Sequence, residues 1–156
     1  MRVQSKFKFL VIFLVFYITI LPPLVIYLSA TSPVADMVLP VLFLLFVVFF
    51  WLTVLRTRAF KVEMDGNTVI IKRYFGLGKS IGYDLKSLDG FITIVESAKG
   101  GVYESIFILK DGKRVGSISS FYHSNFEELK SILKEKLIDF GERNPNFKLE
   151  SSELFR

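Results

Sequence analysis

The sequence predicts a membrane-inserted helical hairpin followed by one small, antiparallel, mostly-β (α+β) domain that closes with an amphipathic helix. Three observations predict it. Two long apolar runs fill residues 9–55 with a single charge, Asp36, between them. From residue 59 the hydrophobic period changes from helical to two, and turn formers punctuate short β-rich runs. Residues 124–141 then return to helical spacing, with acids and bases on one face.

The apolar runs cover about residues 9–29 and 37–55. At 1.5 Å of rise per residue, each is about long enough to cross a ~30 Å hydrocarbon core. Pro22 and Pro23 remove two backbone donors in the outer half of the first run, so a kink or break is expected there. Pro40 falls in the first turn of the second helix, where a missing N–H costs little. Trp51 and Tyr27 lie near opposite interfaces. The spans carry Thr19, Thr53, Tyr17 and Tyr27 but no acid or base of the kind an ion pathway uses, so the hairpin reads as an anchor. The first run is longer than the apolar core of a signal peptide, and no small-x-small cleavage pattern follows it, so it is expected to be retained.

Charge sets the orientation. The net charge is +5, yet from residue 59 onward 15 Lys and Arg face 14 Asp and Glu. The excess sits at Arg2, Lys6, Lys8, Arg56 and Arg58, which flank the two runs, while the connector 30–36 has no positive charge. Lys and Arg concentrate in short cytoplasmic flanks. Both termini are therefore expected in the cytoplasm, at the inner membrane, where each flanking base gains about 1 kcal/mol from anionic headgroups. Nucleic acid is not expected as a partner, because no coherent basic face remains. The chain has no cysteine, which excludes disulfides and thiolate chemistry.

Strands are expected over residues 60–64, 68–75, 79–84, 91–97, 102–110 and 114–119. Their turns are Asp65-Gly66-Asn67, Gly76-Leu77-Gly78, Asp89-Gly90, Lys99-Gly100-Gly101 and Asp111-Gly112. In the fifth of these strands Tyr103, Phe107 and Leu109 alternate with Glu104 and Lys110. Ile106 and Ile108 share the Glu104 face, so the strand is expected to be covered on both sides. Ser124 with Glu127 forms a capping box for the helix. Phe126, Leu129, Ile132, Leu133, Leu137 and Phe140 recur at helical spacing, and Gly141 supplies the residue after the helix end. The expected divisions are a hairpin over 1–58, a β domain over 59–141 and a polar tail over 142–156.

The stretch VEMDGNTVIIKRYFGLGKSIGYDLKSLDGF, then FILKDGKRVGSISSF and the helix, resembles the pleckstrin-homology-like fold. It is most similar to bacterial membrane proteins that carry such a domain directly after a two-helix hairpin. The resemblance covers residues 60–141 and includes the short segment of Ile81, Tyr83 and Leu85. It implies a six- to seven-stranded meander with one C-terminal helix, and a scaffolding or regulatory role without catalytic residues. Phosphoinositide-binding relatives cluster Lys and Arg at the first hairpin. Here that hairpin is Glu63-Met64-Asp65-Gly66-Asn67, an acidic turn, which argues against specific inositol phosphate binding.

No motif for a reaction is legible. His123 is the only histidine and lacks a nucleophile or partner, so it reads as a loop or capping residue. One histidine without cysteine cannot build a zinc shell. Gly76-x-Gly78-Lys79 is a fragment of a phosphate loop without the full spacing, and reads as a turn. Around it Lys72, Arg73, Tyr74 and Lys79 form a basic-aromatic lip for headgroups or an acidic partner, and Lys110, Lys113 and Arg114 flank a second hairpin. The expectation is a non-enzymatic adaptor, without cofactor, held against the bilayer to bind a protein partner. The alternatives are an accessory subunit of a transporter or membrane enzyme, and an anionic-lipid sensor using Lys72, Arg73 and Lys79.

Overall fold

The computed structural model describes residues 2–31, 37–98 and 101–144. Most of the connector 30–36, the Lys99-Gly100 turn and the tail from residue 145 lie outside the described residues. The chain begins with a short strand, β1 (Arg2–Gln4), and then enters helix α1 (Phe9–Ala30). Helix α2 starts at Val38–Phe50, loosens into a π turn over Trp51–Leu55 and ends with Arg56–Arg58. As continuous spans, Phe9–Ala30 and Val38–Arg58 are long and apolar enough to cross a membrane. Helix α1 continues through Pro22 and Pro23, so the expected break does not occur. Two missing donors are tolerable in a helix whose other backbone groups stay paired.

The remaining strands are β2 (Lys61–Asp65), β3 (Thr68–Lys72), β4 (Ser80–Asp84), β5 (Gly90–Ala98), β6 (Gly101–Lys110), β7 (Lys113–Ser119) and β8 (Asp139–Arg143). Helix α3 (Phe126–Lys136) lies between the last two. The strands form two four-stranded sheets, ordered β1-β2-β3-β4 and β7-β6-β5-β8. The expected antiparallel runs β2-β3-β4 and β5-β6-β7 are present, with turns at Asp65-Gly66-Asn67 and Asp111-Gly112, whereas Asp89-Gly90, expected as a turn, leads directly into β5 in the other sheet. Two strands were not foreseen. β1 precedes the hairpin and pairs antiparallel with β2, with Val3 opposite Met64, while β8 follows α3 and runs parallel to β5.

Strand β1 corrects the division at residue 58. Arg2 and Lys6, expected as membrane flanks, belong to the β domain, which the chain begins before entering α1 and completes after leaving α2. Because β1 and β2 are hydrogen-bonded neighbours, both feet of the hairpin lie on the same side. The second correction concerns α3. Leu137 is extended (φ −126°, ψ 157°), Phe140 is exposed in β8, and Gly141 lies inside that strand. Ser124 does not cap the helix. Its hydroxyl donates to the carbonyl of Lys6 at 3.2 Å, and Asn125 occupies the N-cap position.

The core lies between the sheets. Val62, Met64, Val69 and Ile71 from the first sheet meet Phe91, Ile106, Ile108 and Ile118 from the second, and Phe126, Leu129 and Leu133 of α3 complete it. Each such side chain contributes about 1.5–3 kcal/mol by leaving water. Ile92, Ile94 and Phe107 form a second buried cluster on the other face of the second sheet, so β6 is covered on both sides as expected. Gly116 lets β7 approach β3, since a Cβ there would sit 2.6 Å from the Ile71 Cδ1 atom.

Candidate functional site

The domain and the hairpin share a junction. Leu55 and Ala59 are fully buried, grouped with Val15, and Phe50, Trp51, Tyr74 and Phe75 pack around them. Arg58 donates to both carboxylate oxygens of Glu96, at 2.8 and 2.9 Å. Lys8 donates through Nζ to the Ser120 carbonyl at 2.6 Å, and its own N–H reaches the Tyr122 carbonyl at 2.8 Å. Of the five expected flanking bases, Lys8, Arg56 and Arg58 therefore stand at the hairpin's feet, and two of them are tied to the domain.

His123 lies in the loop before α3, as expected, and packs against this junction. It is buried, and the Phe7 ring lies 4.8 Å from it. Its Nε2 is 2.9 Å from the Phe60 carbonyl, which can only accept, so Nε2 carries the proton and Nδ1 accepts the Ser119 N–H at 3.1 Å. Burial pushes the ring below its usual value of 6.5, against the smaller opposing effect of the carbonyls of Phe60 and Ser119. The folded state thus holds a neutral ring while the unfolded chain takes up a proton. This contribution is whole above about pH 6.5 and is lost progressively as the pH falls below that value. Between pH 7.5 and 5 the thermal midpoint should therefore fall, and His123→Gln should flatten that slope. An equal slope in the variant would assign the loss to other groups.

Glu63 is the second polar cluster. Its side chain is 4% exposed, and it accepts from Arg2 at 2.8 Å, Gln4 at 3.1 Å and Lys72 at 3.2 Å. The Arg2 hydrogen bond above all, aided by Lys72 and Lys61, holds this carboxyl below its ordinary value despite its burial. Its contribution is complete above about pH 4.3 and disappears as acid titrates it through the lowered folded value.

The four residues of the expected basic-aromatic lip separate here. Lys72 projects to the Glu63 face of β3, away from the others, because side chains alternate along a strand and Ile71 takes the core side. Arg73, Tyr74 and Lys79 stay together and line an open cleft of about 400 Å³ between the β3–β4 turn and β7. Phe60, Ile81 and Tyr83 form its apolar part, and Arg114 of β7 joins from the other sheet. Arg73 lies 5.9 Å over the Phe60 ring, and Arg114 lies 4.2 Å over that of Phe107. Among the described residues lining the cleft, none is acidic.

The turn that supplies the cleft is strained. Tyr74 and Phe75 have φ of 53° and 57°, left-handed values that cost non-glycine residues about 1–3 kcal/mol each. They are held there by the hairpin. The Phe75 N–H donates to the Ala59 carbonyl at 2.9 Å, and the Tyr74 ring stacks 6.1 Å from that of Trp51. Trp51 in turn donates to the Thr19 hydroxyl at 2.9 Å, so α1, α2 and the cleft form one connected unit. Comparison of the chain with protein-family models, with curated proteins and with solved structures finds no match in any of the three.

Proposed function

We propose that the chain is a non-enzymatic adaptor of the cytoplasmic inner membrane, with both termini cytoplasmic, that holds a pleckstrin-homology-like domain in a fixed pose for a protein partner. The observation that carries this reading is the fastening of the domain to both feet of the hairpin. Helix α1 is tied through Lys8 to Ser120 and Tyr122, helix α2 through Arg58 to Glu96, and the cluster around Leu55 and Ala59 joins them. A tether meant to let a domain swing needs no such contacts. The bases at the feet, Lys8, Arg56 and Arg58, favour the cytoplasmic side. The two meanders followed by a helix support the resemblance to the bacterial membrane branch of that fold.

The partner is expected at the free edge of β4. Among the described residues this strand is hydrogen-bonded on one side only, by β3, and Ser80, Ile81, Gly82 and Asp84 are exposed along it. An open edge is a template for a partner's strand. Ser80→Lys with Gly82→Lys tests it, since a Cβ at Gly82 meets only the Thr68 methyl at 3.9 Å and the fold tolerates the change. Full-length protein extracted in mild detergent should retain a stoichiometric partner that the double variant loses. Retention by the variant would exclude β4 as the docking edge, and hydrolytic or transfer activity of the purified chain would overturn the adaptor reading itself.

A further inference from the structure

The level of the β3–β4 turn relative to the bilayer follows from the exposed residues of α1. Phe9 is 82% exposed, and Leu10 and Phe13 are exposed beside it. Such a surface is stable only in lipid, so the hydrocarbon begins near Phe9. Thr19 lies ten residues farther along α1, about 15 Å up its axis. Trp51 is bonded to Thr19 and stacked on Tyr74, so the Tyr74 ring reaches into the leaflet, while Phe75, bonded to Ala59 and 4.8 Å from the Phe7 ring, keeps the rest of the turn at the boundary where α1 enters the hydrocarbon.

The turn is built for that surrounding. Leu77 at its tip is 83% exposed. The N–H groups of four successive residues, Phe75 to Gly78, are all satisfied within the protein, at the carbonyls of Ala59, Arg73, Tyr74 and Arg73 respectively. Backbone entering a bilayer needs such internal pairing. Arg73 and Lys79 stand at the two shoulders, where long basic side chains reach back to the headgroup layer, and the cleft beside them holds no described acid.

We propose that this turn and cleft bind an anionic phospholipid of the same leaflet, with Leu77 at the acyl-chain boundary and Arg73 and Lys79 at the headgroup phosphate. The site rests on the helices crossing the bilayer and not on the protein partner, so loss of docking at β4 leaves it intact. It differs from a diffuse basic surface in having a cavity, an apolar tip and a fixed depth.

Trp51, the only tryptophan in the chain, stacks on the cleft residue Tyr74 and reports occupancy. In detergent-solubilised full-length protein, short-chain phosphatidylglycerol should give a saturable fluorescence change that phosphatidylcholine and inorganic phosphate do not. Arg73→Ala with Lys79→Ala should weaken it about 30-fold, at ~1 kcal/mol per base near a lipid surface. Lys86→Ala with Lys113→Ala, an equal loss of charge outside the cleft, should leave it within about twofold of the parent. Response to inorganic phosphate alone would make this a free-anion site, and equal weakening by both pairs would make it bulk attraction. Either result overturns the proposal. The depth has its own readout: Leu77→Trp in a Trp51→Phe background should be quenched by lipid brominated near the headgroup end of its acyl chains. Absence of quenching would place the turn in water and also sink the proposal.

Discussion

Removing residues 2–7 is expected to unfold the β domain while leaving both helices in the membrane. Strand β1 pairs with β2 through Arg2–Asp65, Val3–Met64 and Gln4–Glu63, and Val3 belongs to the main core. Ser5 exchanges two bonds with Val62, its N–H donating to the Val62 carbonyl at 2.8 Å and its hydroxyl accepting the Val62 N–H at 2.9 Å. Farther on, the Lys6 carbonyl accepts the Ser124 N–H at 2.8 Å, and the Lys6 N–H reaches the Asn125 side chain at 2.8 Å, holding the start of α3. Loss of Val3 burial costs about 1.5–3 kcal/mol, and each buried backbone group left without a partner costs about 1–3 kcal/mol. The buried Glu63 carboxylate also loses Arg2 and Gln4. Against a total of roughly 5–15 kcal/mol for a small domain, these losses remove most of the folded population. Limited proteolysis of the full chain and the truncated chain in the same detergent reads this directly. The domain should be cut at least about 100-fold faster in the truncated chain, the change that ~2.7 kcal/mol produces. Equal resistance would show that β1 is ornamental.

The same strand explains what the sequence does and does not disclose. The hairpins were legible because Asp65-Gly66-Asn67 and Asp111-Gly112 sit between runs of period two, and both signals are local. β1 has only three residues with one apolar side chain among them, Val3, and its partner lies about sixty positions away across two long apolar helices. Its one base, Arg2, fits the membrane-flank reading equally well. Helical spacing failed at the end of α3 for a related reason. Leu137 and Phe140 continue the period, yet Leu137 turns extended so that the following residues can pair with β5. That gain is tertiary, and no periodicity records it. At the cleft, Arg73, Tyr74 and Lys79 were found because they are neighbours around one turn. Lys72 fell away through strand alternation, which could have been applied from the sequence. Arg114 could not have been placed, since it meets the others only where two sheet edges converge.

Gly90→Ala is expected to be the most damaging single-atom-scale change in the domain, with a loss of about 3 kcal/mol or more. Gly90 opens β5 with φ of 150°, a conformation side chains rarely adopt, and a Cβ there would lie 2.3 Å from the Ile138 carbonyl oxygen and 2.7 Å from the Phe140 ring. The backbone strain alone costs about 1–3 kcal/mol. The clash adds to it, because relief requires moving the chain at Ile138, immediately before β8, whose carbonyl accepts the Phe91 N–H at 2.9 Å. Displacing β8 exposes the edge of β5, the strand that carries both Phe91 in the main core and Ile92 and Ile94 in the second cluster. For a domain of this size each kcal/mol shifts the midpoint by about 4–8 °C, so the expected fall is at least about 12 °C. Gly141→Ala is the matched control, since its Cβ would meet nothing within 4 Å although its φ is 83°. It isolates the strain from the clash and should cost only the former. A fall of equal size in both variants would show that strain dominates, and a midpoint unchanged in Gly90→Ala would show that β8 does not hold the sheet.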